Sequence, residues 1–291
     1  MSSEPEAKKA KTDTDDGEKQ HLFIIRHGDR FDYSHPEWLE TTTRRGDPPL
    51  SKLGYQQARE TGLFLDGHLK EIGITPDKIT WLTSPFLRCI QTSDSILNAF
   101  PTTDTDGVKL LPEYSVFEMD GHGGKMHASL PEVSERFHYF PRLDASHESL
   151  FVPTIPEPRE GLRPRCEKAM QHFHKKYLYK PKTAIIIVTH AASCVALARA
   201  ASDLPLDAVT PAAPCSIFQL TRTRQTDVWD MDAHDKPEGK NGYTDHLSDM
   251  GLKTTRPWNH FGPKGTDQYY TGPPTSRFAP LPTREDSTEI S

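Results

Sequence analysis

Two histidines and three arginines stand in this chain where short apolar runs stop. Arg26-His27-Gly28-Asp29-Arg30 follows His21–Ile25, Arg88 comes shortly after Ser84-Pro85, and His190 closes the run Thr183–Thr189. Guanidiniums gathered with imidazoles repel one another unless an anion sits among them. The planar fork of arginine suits phosphate oxygens, so a phosphate dianion is the natural filler. A neutral imidazole attacks phosphorus when its other ring nitrogen is held by a hydrogen bond. The departing alkoxide or phenoxide then needs a proton, for which a carboxylic acid is the usual donor. Glu118, in Val116-Phe117-Glu118-Met119-Asp120, is the first candidate, with Glu113 and Asp120 as rivals. Water would attack the phosphohistidine next, with the same carboxylate as base. Arg26, Arg30, Arg88 and a second histidine would stabilise the equatorial oxygens.

The flanking pattern supplies elements able to hold these groups together. His21–Ile25, Ile79–Thr83 and Thr183–Thr189 read as buried strands, Val108–Leu111 as a third in chain order, and Cys215–Leu220 as the last. Helices are expected from Ser51, from Ser84 (Ser at the N-cap and Pro at the first helical position), over Cys166–Tyr179 and over Ala191–Ala201. The helix at Ser84 would lend its unpaired N–H groups to the anion, and Gly28 would leave room for close backbone approach. Alternating strands and helices predict an α/β fold: a three-layer α/β/α sandwich on a mostly parallel sheet of about five or six strands. Ligands of such sheets bind beyond the carboxyl ends of the strands, where Arg26-His27, Ser84-Pro85…Arg88 and His190 all fall.

Composition narrows the partners. Hydrophobic residues are 34% of 291, with 25 prolines, so part of the chain should lie outside the core. Residues 1–20 read as a disordered charged arm, 21–222 as the catalytic domain, and 223–291 as a polar Pro/Gly-rich extension partly packed on it. A formal charge of −6 gives no general pull toward nucleic acid or anionic membrane. No apolar stretch follows Met1, and Ala184–Val188 is far too short to span a bilayer. A cytoplasmic protein is expected, with the nucleus as alternative because Lys8-Lys9-Ala10-Lys11 is like a basic nuclear address. The cysteines Cys89, Cys166, Cys194 and Cys215 lack zinc-type spacing and read as small buried residues. His122, His127 and His138 fit no rigid ligand spacing, so neither metal nor cofactor is expected. A homodimer is allowed.

Three segments, in order, resemble a known family. Ile24-Ile25-Arg26-His27-Gly28 is similar to the RHG signature of the histidine phosphatase superfamily, which includes the phosphoglycerate mutases. Thr83-Ser84-Pro85-Phe86-Leu87-Arg88-Cys89-Ile90-Gln91-Thr92 resembles its SPxxRxxQT segment, and Val188-Thr189-His190-Ala191 its second-histidine segment. Details look most like the catalytic domain of the Sts/TULA protein tyrosine phosphatases and related ecdysteroid-phosphate phosphatases. The resemblance implies that His27 is phosphorylated, that Glu118 is the acid/base and His190 the second pocket histidine, and that Arg26, Arg30 and Arg88 bind phosphate. Asp29 stands where family members often have Glu or Gln.

Taken singly, His27 and His190 read as packed histidines beside strand ends, and Arg88 as a solvated helix arginine; it is their ordered company that points to chemistry. The expected activity is hydrolysis of a phosphate ester, either a small molecule (an aryl or steroid phosphate) or a phosphoprotein carrying phosphotyrosine. The rival readings are a phosphoglycerate mutase-like phosphotransferase and a scaffold subunit that keeps the pocket without turnover.

Overall fold

In the computed structural model, the described residues are 18–101, 105–119, 130–202, 212–231 and 242–251. Asp120, His122, His127, the charged arm through residue 17 and Trp258 lie outside them.

Strand β1 (Gln20–Arg26) is buried at every position, and its alternation divides the core. Leu22 and Ile24 face one layer, joined by Ile185 and Ile187 of β4 (Thr183–Thr189) and covered by α5 (Leu162–Lys176) and α6 (Ala191–Ser202). Phe23 and Ile25 face the other, with Ala184, Ile186 and Val188, beneath α3 (Lys52–Glu71) and α4 (Leu87–Asn98). Strands buried on both faces read as unbroken apolar runs, which is why β1 and β4 stand out in the sequence. The result is the expected three-layer sandwich. Single-turn helices α1 (Phe31–Ser34) and α2 (Trp38–Thr41) lie in the loop after β1.

The six-stranded sheet runs in the order β3-β2-β4-β1-β5-β6, with β2 at Ile79–Thr83 and β3 at Leu110–Pro112. The first four strands in this order are mutually parallel. Strand β5 (Ile217–Arg222) is antiparallel to β1, so one side of the sheet departs from the parallel pattern. Beyond Arg222 the two-residue β6 (Asp230–Met231) pairs with β5, and Tyr243 bridges Ile217.

Register does the positioning. Arg26 pairs with Thr189 and Thr83 with Val188, so His27 and His190 emerge side by side with Ser84 next to them. Two sequence expectations are corrected. The third and last strands begin two residues later than their apolar runs. Helix α4 starts at Leu87 with Phe86 at its N-cap and no side-chain cap from its own segment, so Ser84 is not the cap. Asp47 accepts the Leu87 N–H at 2.7 Å instead. That end of the helix is therefore occupied by a carboxylate.

Candidate active site

His27 leaves β1 with its N–H on the Thr189 carbonyl at 2.9 Å, and its ring is buried. Its Nδ1 lies 2.7 Å from the Gly28 carbonyl oxygen. A carbonyl only accepts, so Nδ1 carries the proton and Nε2 keeps its lone pair. Burial first, then the charges of Arg88 and Arg26 and the His190 ring, hold the His27 pKa well below 6.5. The ring is therefore neutral at pH 7.

His190 lies 5.3 Å from His27 between ring centroids, at 64°. Its Nε2 is 2.8 Å from the Ser84 hydroxyl, while Nδ1 is 3.1 Å from Arg88 Nη2 and 3.3 Å from Glu118 Oε2. In its neutral form His190 accepts from Arg88 at Nδ1 and donates from Nε2 to Ser84. Protonated, it turns Nδ1–H toward Glu118. The freed Ser84 side chain therefore orients the second histidine.

Arg88 has no solvent exposure, and its Nη2 also donates to Glu118 Oε2 at 3.1 Å. Its Nη1 faces the Gly46 carbonyl at 3.5 Å and Asp47 Oδ1 at 3.7 Å. Arg26 donates from Nη1 to the Ala212 carbonyl at 2.8 Å. Arg30 forms a two-pronged pair with Asp32, at 3.0 Å from Nε and 2.7 Å from Nη2, and stacks its guanidinium 4.5 Å from the Tyr33 ring centroid. Burial works to lower its pKa, but Tyr33 and Asp32 outweigh that and raise it. Of the six predicted residues, His27, His190, Arg88 and Glu118 form one contact cluster. Arg26 lies beside it, coupled to Glu118 and to Arg30 through charge.

Glu118 follows the turn Tyr114–Val116, and its carbonyl-bearing neighbour Phe117 is held by the Ser193 hydroxyl at 2.7 Å. Burial works to raise its pKa, yet His190, Arg88 and His27 together hold it well below 4.5. It is ionised in the resting site. Glu113 is fully buried and accepts from the backbone of Ser115 at 3.0 Å and Leu150 at 3.0 Å, with His147 Nε2 at 3.3 Å. It pins the 147–150 loop and has no part in the cluster. Asp29 is likewise structural: buried, it accepts from the Ser51 hydroxyl at 2.6 Å at the start of α3. Gly28 is required by the fold, because a Cβ there would meet the Gly54 carbonyl oxygen of α3 at 2.6 Å. The backbone it admits is that of α3.

Cys89 Sγ lies 3.5 Å from His190 Nε2, but burial pushes its thiol far above the ordinary range, so it is no nucleophile. All four cysteines are buried and free. His27, Glu118 and His190 offer ligand atoms within 4.8 Å of one another, a spacing that a metal ion could bridge. Arg88 Nη2 already sits 3.1 Å from both Glu118 Oε2 and His190 Nδ1, and its charge opposes a cation. His138 is exposed and belongs to no such group among the described residues. An open cavity of about 390 Å³ lined by Glu148, Ser149, Leu150, His172, Lys175 and Lys176 contains none of the cluster. No helix among the described residues is long and apolar enough to cross a membrane.

Comparison with known proteins shows the family. Residues 22–233 match the family model of the histidine phosphatase superfamily, branch 1, and the chain belongs to that family. No curated protein matches it. Among solved structures, the ecdysone phosphate phosphatase of Bombyx mori in complex with tungstate aligns at a TM-score of 0.56 and 19% identity, over 77% of this chain and 96% of the other. A mycobacterial glucosyl-3-phosphoglycerate phosphatase aligns at 0.46 and 17%, over 74% and 97%. Phosphoglycerate mutase from Bacillus anthracis aligns at 0.44 and 13%, over 74% and 92%. The likeness is one of fold.

Proposed function

We propose that this chain is a phosphomonoesterase that works without a metal, through a covalent phosphohistidine on His27. The observation that carries this reading is the neutral His27 ring, tied at Nδ1 to Gly28 O, among Arg26, Arg88 and His190. In the first half-reaction, Nε2 forms a bond to phosphorus as the ester P–O bond breaks, and the leaving oxygen takes a proton from Glu118. Glu118 must acquire that proton when the dianion binds, since two like charges in one buried site raise each other's proton affinity. In the second, Glu118 takes a proton from water, the water oxygen bonds to phosphorus, and the N–P bond breaks to free phosphate and neutral His27. Arg26, Arg30, Arg88 and His190 hold the equatorial oxygens as charge shifts. Asp32 keeps the Arg30 fork oriented for this task.

An aryl or steroid phosphate, or phosphotyrosine, is the proposed substrate class. The exposed Tyr33 ring beside Arg30 offers a flat surface to such a leaving group. The Bombyx mori neighbour is a phosphatase of ecdysone phosphate, a steroid phosphate of that class.

The test is phosphate release from p-nitrophenyl phosphate with EDTA present, wild type against His27→Ala. Turnover lost in the variant supports the reading. A folded wild type without turnover, or one inhibited by EDTA, overturns it. Conversion of 3- to 2-phosphoglycerate with little free phosphate would favour the mutase instead.

A further inference from the structure

We infer that Asp47 is a positioning residue for Arg88, and that Arg136 is its buried counter-ion, an inference that rests on the phosphatase reading above. The three residues come from three separate segments. Asp47 lies in the loop between β1 and α3, Arg136 ends the turn Val133–Arg136 in the long connection after β3, and Arg88 is the second residue of α4.

One carboxylate serves all of them. Asp47 Oδ1 takes the Leu87 N–H at 2.7 Å and stands 3.7 Å from Arg88 Nη1, while Oδ2 accepts from Arg136 Nη2. Arg136 Nη1 donates in turn to the Pro85 carbonyl, just ahead of α4. Asp47 and Arg136 are 8% and 5% exposed, so the pair sits in a medium where charge is weakly screened. A more exposed contact, Arg44 to Glu135 at 3.4 Å, ties the same two loops further out.

The consequence for Arg88 follows from its geometry. Its Nη2 is committed to Glu118 and His190, and its Nε has no hydrogen-bond partner. Without Asp47 the other end keeps only the long 3.5 Å contact of Nη1 to the Gly46 carbonyl, and the ion pair with Glu118 is left to set the fork's orientation. Asp47 and Gly46 O hold the other end, which fixes the plane of the fork before phosphate arrives. Arg136 balances the Asp47 charge, so Arg88 keeps its own charge for the substrate. Both loops that could contact the leaving group are thereby fastened to the residue that binds phosphate.

The test uses the full chain, inorganic phosphate as the binding probe, and p-nitrophenyl phosphate for turnover. Asp47→Asn retains an oxygen to cap Leu87 but removes the charge. It is expected to weaken phosphate binding about tenfold, equivalent to about 1.4 kcal/mol, and to lower kcat by a similar factor. Asp47→Asn also strands the Arg136 charge, which can unfold the chain. The double variant Asp47→Asn/Arg136→Gln removes that charge too; it is expected to regain wild-type denaturation behaviour while phosphate binding stays weakened. Phosphate affinity and kcat within twofold of wild type in the double variant would overturn the inference and leave the pair a purely structural staple. In that case a wild type with normal binding and turnover leaves the phosphatase reading standing. A wild type that neither binds phosphate nor turns over refutes both.

Discussion

Replacing Glu118 by Gln removes the one acid that the contact cluster holds among the described residues and keeps its shape. Glu118 is held well below 4.5 by His190, Arg88 and His27 against the opposing effect of burial. Protonating it at pH 7 in the resting site is therefore unfavourable. That cost is met when the dianion binds, so phosphate affinity in the wild type is reduced by part of it. Gln carries no charge, and inorganic phosphate is expected to bind Glu118→Gln at least about tenfold more tightly at pH 7. Turnover moves the other way. General acid–base transfer contributes about 10²–10⁴ in rate, and the loss depends on the leaving group. An alkyl phosphate, whose alkoxide needs the proton most, should lose about 10³-fold or more in kcat/KM. p-Nitrophenyl phosphate, whose phenoxide departs readily, should lose far less in kcat/KM, while its kcat remains limited by slow attack of water. The assay is steady-state kinetics over a series of leaving groups, with phosphate inhibition measured alongside. Equal losses for alkyl and nitrophenyl esters, or weaker phosphate binding, would refute the assignment of Glu118 as acid.

Gly54→Ala is expected to destabilise the fold by about 1–3 kcal/mol, because its Cβ would meet the Asp29 carbonyl oxygen at 2.3 Å. Thermal denaturation would show a midpoint several degrees lower, about 2–4 °C per kcal/mol; an unchanged midpoint would contradict the packing described. The 242–251 segment makes a pH-sensitive contact. His246 Nε2 lies 3.0 Å from the Thr61 hydroxyl and the ring stacks on Phe64 and meets Tyr243 edge-on, with Glu60 and Asp245 the charges facing it. Burial pulls its pKa down to about 4 from 6.5. The unfolded ring takes up a proton first, so this contribution is intact above pH 6.5 and is lost as pH falls from 6.5 to about 4. The loss is at most about 3 kcal/mol. Denaturant midpoints at pH 7 and pH 4.5 should converge more in His246→Phe than in wild type; an identical pH dependence would remove His246 from the account.

The sequence carries the sheet and the site's membership for a physical reason. Strands buried on both faces, β1 and β4, cannot hide their composition, and the groups that follow them inherit a common edge from parallel register. Even so, reading His27, Arg88 and His190 as one site needed their ordered company. Less legible were groups whose role depends on a distant partner. Asp47, between Gly46 and Pro48, carries no local sign that it caps α4, and Ser84-Pro85 imitates a helix start while Ser84 in fact serves His190. Glu113 and Glu118 are five residues apart in similar surroundings, and only the fold sends one to the 147–150 loop and the other to Arg88. Strand β6 escapes notice because two residues leave no period to read.

The most direct test of the central claim is to trap the covalent intermediate. The full chain is mixed with ³²P-labelled p-nitrophenyl phosphate, quenched in alkali within milliseconds to seconds, and digested to locate the label. Stoichiometric label that survives alkali, is released by acid, maps to His27 and is absent from His27→Ala is the expected result. Turnover with no labelled enzyme, or with label on another residue, would contradict it.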